Sequence, residues 1–86
     1  MNIESDPNGM WCIYYAKIDD RKTWNVMKLQ RKDGVIVAAK TYDEAFKYSD
    51  TNHAFDFMKS LYDTPDQKYF AEVKRLYRRG ENEFYV

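Results

Sequence analysis

The chain has 86 residues, of which 44% are hydrophobic and 17% aromatic, and its 14 basic and 14 acidic residues give a formal net charge of zero. This composition excludes a disordered chain, and the balanced charge argues against a protein that coats nucleic acid and equally against an acidic DNA mimic. Its single cysteine, Cys12, excludes an internal disulfide framework and fits a reducing compartment.

The N-terminal segment, residues 1–9, is polar and ends in Pro7-Asn8-Gly9, which is a turn signal. It lacks the basic and apolar regions of a signal peptide, and no later apolar run approaches the roughly 18 residues of a membrane helix. We therefore expect a flexible tail over residues 1–9, a single domain over residues 10–86, and a cytoplasmic protein.

Three β-strands are predicted in the first half of the domain. Residues 11–18 are rich in β-forming side chains and carry apolar residues on both faces, and residues 24–31 form a less regular second strand. Asp33-Gly34 lies between two β-like runs, which is typical of a type I′ hairpin turn. It leads into a third strand over residues 35–39.

The segment over residues 41–49 allows two interpretations. Thr41 and Glu44 have the spacing of a capping box, which would start a short helix. Alternatively, residues 42–44 turn the chain, and Phe46 and Tyr48 then alternate with polar neighbours in a fourth strand. We favour the strand.

A first helix is predicted after this segment, with Asp50 or Thr51 as its N-cap. One broad apolar face indicates the helix, because the residues on it recur at helical spacing. This face comprises Ala54, Phe55, Phe57, Met58, Leu61 and Tyr62.

A second helix is predicted from the capping box Thr64–Gln67, with Pro65 in its first turn. It runs through Arg79, and Gly80 is its C′ residue. Its apolar stripe comprises Tyr69, Phe70, Val73, Leu76 and Tyr77, and its basic face comprises Lys68, Lys74, Arg75, Arg78 and Arg79. Residues 83–86 form a short β-like segment that pairs onto a sheet edge or stays loose.

Together these elements predict an α+β fold, an antiparallel meander of three or four strands followed by two helices packed on one sheet face. The other sheet face would then be solvated or bind a partner. Because the first strand is apolar on both faces, we favour binding, either to another protein or to a second copy of the chain.

The reactive side chains do not form a catalytic pattern. A metal site needs three or four ligands, and the chain has one histidine and one cysteine, so we expect no metal and no cofactor. His53 is expected at the surface and Cys12 as a packing thiol. Most carboxylates fall in turns and at helix starts, and the isolated glycines do not form a phosphate-binding loop. We therefore predict that the protein is not an enzyme.

Two sets of residues are the predicted partner-binding sites. The first set lies on the basic face of the second helix and comprises Lys74, Arg75, Arg78 and Arg79. These cations would meet phosphates or an acidic protein surface, or else they are simply solvated and complement the helix dipole. The second set lies on the sheet and comprises Trp11, Tyr15 and Trp24, because Tyr, Trp and Arg dominate interface hot spots.

In its general character the chain resembles small proteins encoded by phages and other mobile elements, which are compact, aromatic-rich and without a catalytic motif. That resemblance implies a protein that blocks or redirects a host macromolecule. We predict a small non-enzymatic protein-binding module that inhibits or modulates a host macromolecular machine. The alternative is a small nucleic-acid-binding domain that uses the basic face of the C-terminal helix, whose affinity would fall steeply with salt.

Overall fold

The computed structural model of the protein describes residues 10–29 and 35–86. The predicted tail over residues 1–9 and the predicted Asp33-Gly34 turn lie outside these ranges. The elements within them are β1 (Trp11–Lys17), β2 (Asp20–Val26), α1 (Thr51–Tyr62), β3 (Tyr69–Arg75), β4 (Tyr77–Arg79) and β5 (Glu83–Tyr85). Across the described part of the chain, no helix is long and apolar enough to cross a membrane.

The strands form a three-stranded antiparallel sheet, in which β1 lies between β2 and β3, and a separate hairpin of β4 and β5. α1 contacts β3 and β1. The predicted meander followed by two helices is therefore wrong. The residues that the structure describes contain one helix, and the region predicted as the second helix contributes β3 and β4 instead.

β3 is a strand because it completes the pairing of β1. Val73 lies opposite Ile13, and Ala71 lies opposite Tyr15, in a continuous antiparallel register over the whole of both strands. The aromatic and β-branched residues that produce a helical stripe in this segment also suit a half-buried strand. Since β1 needs a neighbour on this side, long-range pairing overrides the local helical pattern.

The predicted start and end signals of the second helix have other roles. α1 ends at Tyr62, and the hydroxyl of Thr64 donates a hydrogen bond of 3.4 Å to the carbonyl of Leu61, so Thr64 follows a helix and caps none. Gly80 lies in the turn between β4 and β5 with a φ of 69°, a left-handed conformation that glycine adopts without strain.

The first predicted helix is confirmed as α1. Asp50 is its N-cap, and the Asp50 carboxylate accepts a hydrogen bond of 2.8 Å from the backbone N–H of Asn52. Ala54 is buried against the sheet, whereas Phe55 and Tyr62 remain 45% and 38% exposed. The predicted apolar face of this helix is thus wider than the face that the sheet covers.

The predicted second and third strands are only partly formed. β2 covers Asp20–Val26, so it begins earlier than predicted, and residues 30 and 31 of the predicted strand lie outside the described ranges. Residues 35–39 form no regular strand, and Ala38 makes only an isolated antiparallel bridge to Met27. The short C-terminal segment does pair, as β5 with β4.

The segment over residues 41–49 is neither the favoured strand nor a helix. The Thr41 hydroxyl accepts a hydrogen bond of 3.2 Å from the backbone N–H of Glu44, and the Glu44 carboxylate accepts one of 2.9 Å from the N–H of Lys40. These bonds resemble those of a capping box, but a turn follows instead of a helix. Tyr48 makes a single antiparallel bridge to Trp11.

The side chains of β1 alternate between two cores, one on each face of the sheet. The core under α1 comprises Ile13, Tyr15, Met27, Ile36, Tyr48, Ala54, Leu61, Tyr69 and Ala71. The core on the opposite face comprises Cys12, Val26, Ala39, Ala45 and Leu76. β1 is therefore apolar on both faces because it is a central strand, and the predicted wholly uncovered sheet face is wrong.

Replacing Asp50 by alanine should lower the free energy of unfolding by about 1 kcal/mol, because the first turn of α1 loses its capping carboxylate. Thr64→Ala is the matched control and should change it by less than about 0.5 kcal/mol, since the long hydroxyl contact of Thr64 caps no helix. Urea denaturation followed by circular dichroism measures both values. A larger loss from Thr64→Ala than from Asp50→Ala would contradict these helix boundaries.

Candidate functional site

The three aromatic residues of the predicted sheet site do not form one surface. Tyr15 is 4% exposed and lies in the core under α1, where its ring meets that of Tyr69 edge-on at 5.7 Å. Trp11 packs against the same core, and the guanidinium carbon of Arg75 lies 5.1 Å from its ring centroid. Trp24 lies on the opposite face. Only Trp24 therefore borders the groove described below.

The predicted basic helix face does not exist, because its residues lie on two strands. Lys74 and Arg75 are neighbours in β3, and Arg78 and Arg79 are neighbours in β4, so each pair points to opposite faces. The ammonium of Lys74 also lies 3.6 Å from the carboxylate of Glu72. Whether any of these cations contacts a partner stays a prediction, but they do not lie on one face.

Arg78 is held in a compact charged cluster. Its guanidinium lies 3.1 Å from the Asp43 carboxylate, donates to the Glu81 carbonyl at 2.7 Å, and lies 4.2 Å from the centroid of the Tyr42 ring. The ammonium of Lys47 lies 4.6 Å from the same ring centroid. Desolvation lowers the pKa of Lys47, with repulsion from Arg78 adding to the shift and attraction to Asp43 opposing it.

A groove of about 320 Å³ opens beside this cluster, between β2 and β5. We call it the aromatic groove, and it is lined by Tyr14, Trp24, Asn25, Val26, Ala39, Phe84, Tyr85 and Val86. Val26 and Ala39 are buried and form its floor. Depressions of about 380 Å³ lie elsewhere beside Lys17, but charged residues at the turn between β1 and β2 line them. Among the described residues, no charged side chain lines the aromatic groove, and aromatic rings form most of its walls, so we take it as the candidate site.

The walls of the aromatic groove are pre-formed by stacked rings. Trp24 stacks on Tyr14 with ring centroids 5.4 Å apart, and its indole N–H donates a hydrogen bond of 2.9 Å to the carbonyl of Arg21. On the other side, Tyr85 stacks on Tyr77 at 5.1 Å. Stacked pairs of this kind contribute about 0.5–1.5 kcal/mol beyond their burial, so each wall is supported by contacts within the chain itself.

Sequence reasoning singled out Trp24 but missed the residues that complete the groove. Phe84 and Tyr85 belong to β5, which reaches the groove only because β4 and β5 form a hairpin. Tyr14 lies opposite Val26, on the side of the sheet away from α1. The available signal was the excess of aromatic residues over what one small core holds, which predicts exposed rings without saying which ones are adjacent.

The two most reactive side chains lie on opposite sides of the sheet. Cys12 belongs to the core away from α1 and is fully buried, whereas His53 is exposed on α1. A Cys–His nucleophile needs both groups within hydrogen-bond reach, so this pair does not form one. Within residues 10–29 and 35–86, no three metal-ligating side chains gather at one point.

Burial of the Cys12 thiol predicts an alkaline loss of stability. Burial raises the pKa of this thiol from 9.0 to about 12, so the unfolded chain loses the proton first. The stabilisation is complete below pH 9 and is lost as pH rises from the unfolded pKa towards the folded one. We expect the free energy of unfolding to fall by about 0.8 kcal/mol between pH 8 and pH 9.5.

Cys12→Ala is the control, because alanine does not titrate. At pH 8 the free energy of unfolding of Cys12→Ala should be lower than that of the unsubstituted protein, but it should change less between pH 8 and pH 9.5. Urea denaturation at each pH measures both. Both proteins contain Tyr15, whose pKa burial also raises from 10.0, so its contribution cancels when the two profiles are compared. Parallel profiles for the two proteins would show that Cys12 is not the group responsible.

Comparison with known proteins finds no match. No family model matches the chain, and neither does any curated protein or any solved structure. No activity is therefore carried over from a relative.

Proposed function

We propose that the protein is a small non-enzymatic protein-binding module, whose partner places an apolar side chain in the aromatic groove. The observation that carries this proposal is the pair of stacked aromatic walls over an apolar floor. Rigid Tyr and Trp rings supply a large contact area at a low cost in conformational entropy, which is why they are frequent at binding surfaces.

The exposure of the groove supports binding of a partner. Tyr85 and Val86 are 42% and 40% exposed, so a bound side chain would remove apolar surface from water. Full burial of one large apolar side chain is worth about 1.5–3 kcal/mol, which is the size of an interface hot spot. The groove volume is at the lower end of small-molecule sites, about 300–1,000 Å³, and suits one or two side chains.

The charges next to the groove favour a protein partner over nucleic acid. Arg78 is already engaged by Asp43, by the Glu81 carbonyl and by the ring of Tyr42. A phosphate would have to compete with these contacts, whereas an apolar side chain would leave them intact. That the partner belongs to a host machine, and that binding inhibits it, stay predictions from the sequence.

The proposal is tested by capture from nuclease-treated lysate with variants on and off the groove. Tyr85→Ala and Trp24→Ala remove one wall each and should weaken capture of the partner at least about tenfold, the loss expected from a hot-spot residue. Phe55→Ala is the matched control, because Phe55 is equally exposed but lies on α1, across the sheet. It should leave capture unchanged.

Circular dichroism must first show that each variant is folded, since Trp24 also contacts Tyr14 and Arg21. Tyr85→Ala is the safer of the two, because its side chain is more exposed. Capture that survives both groove variants, or that occurs only in a parallel lysate without nuclease and is lost at high salt, would contradict a protein-binding groove.

A further inference from the structure

The outer edge of β3 has backbone groups that point away from the sheet. The carbonyl of Ile13 accepts a hydrogen bond of 2.8 Å from Met27, so Ile13 uses its backbone groups towards β2. Val73 lies opposite Ile13, in a pair that is not hydrogen-bonded across β1 and β3. By the alternation of the ladder, Tyr69, Ala71 and Val73 all turn their N–H and C=O outwards.

Side chains close this edge at two of those positions. The Tyr62 hydroxyl accepts a hydrogen bond of 2.8 Å from the Ala71 N–H and donates one of 2.9 Å to the Ala71 carbonyl. The side-chain amide of Gln67 donates to the Tyr69 carbonyl at 3.0 Å. One hydroxyl thus replaces both hydrogen bonds that a neighbouring strand would make to Ala71.

Val73 is the next outward residue along the edge. Its side chain packs against the core under α1, which fixes its position. Among the residues that the structure describes, none forms a hydrogen bond with the outward N–H or C=O of Val73. An exposed edge of this kind is a template for a further strand unless something blocks it.

We propose that the outer edge of β3 is a self-association surface held closed by Tyr62, and that a second copy of the chain pairs there, antiparallel about Val73, when Tyr62 releases Ala71. The charges on either side of Val73 indicate that the partner at this edge is a second copy of the chain. In an antiparallel pair centred on Val73, Glu72 lies opposite Lys74 of the second copy, and Lys74 lies opposite Glu72 of the second copy. Opposite charges facing each other across strands are stabilising.

Both of these side chains are available for such pairing. The side chains of Lys74 and Glu72 are 44% and 54% exposed, and within one chain they lie 3.6 Å apart on the same face. The formal net charge of the chain is zero, so two copies do not repel each other as wholes. Tyr62 is the last residue of α1, a position where helices fray, so release of its hydroxyl disturbs little else.

The test begins with Tyr62 itself. Tyr62→Phe removes the hydroxyl and keeps the ring, and Tyr62→Ala removes both. We expect each variant to self-associate at least about tenfold more tightly than the unsubstituted protein, in sedimentation equilibrium over a range of concentrations. Tyr62→Phe keeps the test valid if Tyr62→Ala does not fold, which circular dichroism decides.

The charged pair then tests the register. In the background of whichever Tyr62 variant folds, Glu72→Lys alone and Lys74→Glu alone each place like charges opposite each other twice, and each should weaken self-association about tenfold. Mixing these two variants restores opposite charges in both pairs, so the mixture should form heterodimers as tightly as the parent variant. A foreign partner does not predict that recovery, because it would not join the two variants to each other.

Two results would overturn the proposal. The first is a folded Tyr62 variant that self-associates no more tightly than the unsubstituted protein. The second is self-association that persists in the single charge variants or is not recovered in their mixture, because the contact would then lie elsewhere.

Discussion

The pairing of β1 on both sides is the constraint on which the rest of the structure depends. This strand is buried on both faces, with Ile13 and Tyr15 in one core and Cys12 in the other. A strand of this kind cannot lie at a sheet edge without leaving backbone groups unpaired, and it cannot lie in a one-sided sheet without exposing apolar side chains. β2 and β3 pair with the backbone groups of β1 on its two sides. α1 covers the apolar side chains on one face, and the residues of the opposite core cover those on the other.

The aromatic groove and the outer edge of β3 are two places where the sheet is incompletely covered. On the face away from α1, short connecting segments and the β4–β5 hairpin do the covering, and they leave the aromatic groove between β2 and β5. At the outer edge of β3, single side chains cover the backbone groups, and the Tyr62 hydroxyl makes the hydrogen bonds that a neighbouring strand would make to Ala71. A small chain that divides its apolar residues between two cores has too few of them to cover the whole sheet.

Local patterns in the sequence were sufficient where local interactions decide the structure. α1 and β1 follow from helical spacing and β-propensity, and both were predicted. Capping preference limited the N-cap of α1 to Asp50 or Thr51, and the structure has Asp50. Residues 69–79 show the opposite case. Their aromatic and branched residues satisfy helical and strand patterns equally well, and Thr64 with Gln67 imitates a helix start. Pairing with β1, more than fifty residues earlier in the chain, decides between them.

The same limit applies to the candidate site. The sequence singled out Trp24, which lines the aromatic groove, but Tyr14 and Phe84 join it there only through the register of β1 with β2 and the β4–β5 hairpin. The basic residues were grouped on one face only by assuming a helix. In a strand, neighbours point to opposite faces, so the group separates.

The most direct test of this account is the pairing of β1 with β3, measured by nuclear Overhauser effects between backbone Hα protons. In antiparallel pairs that are not hydrogen-bonded the Cα atoms lie closest, about 4.5 Å apart. The structure predicts strong Hα–Hα contacts between Ile13 and Val73 and between Tyr15 and Ala71. Absence of both, together with Hα–HN contacts between residues three apart within 69–79, would show a helix there and contradict the account.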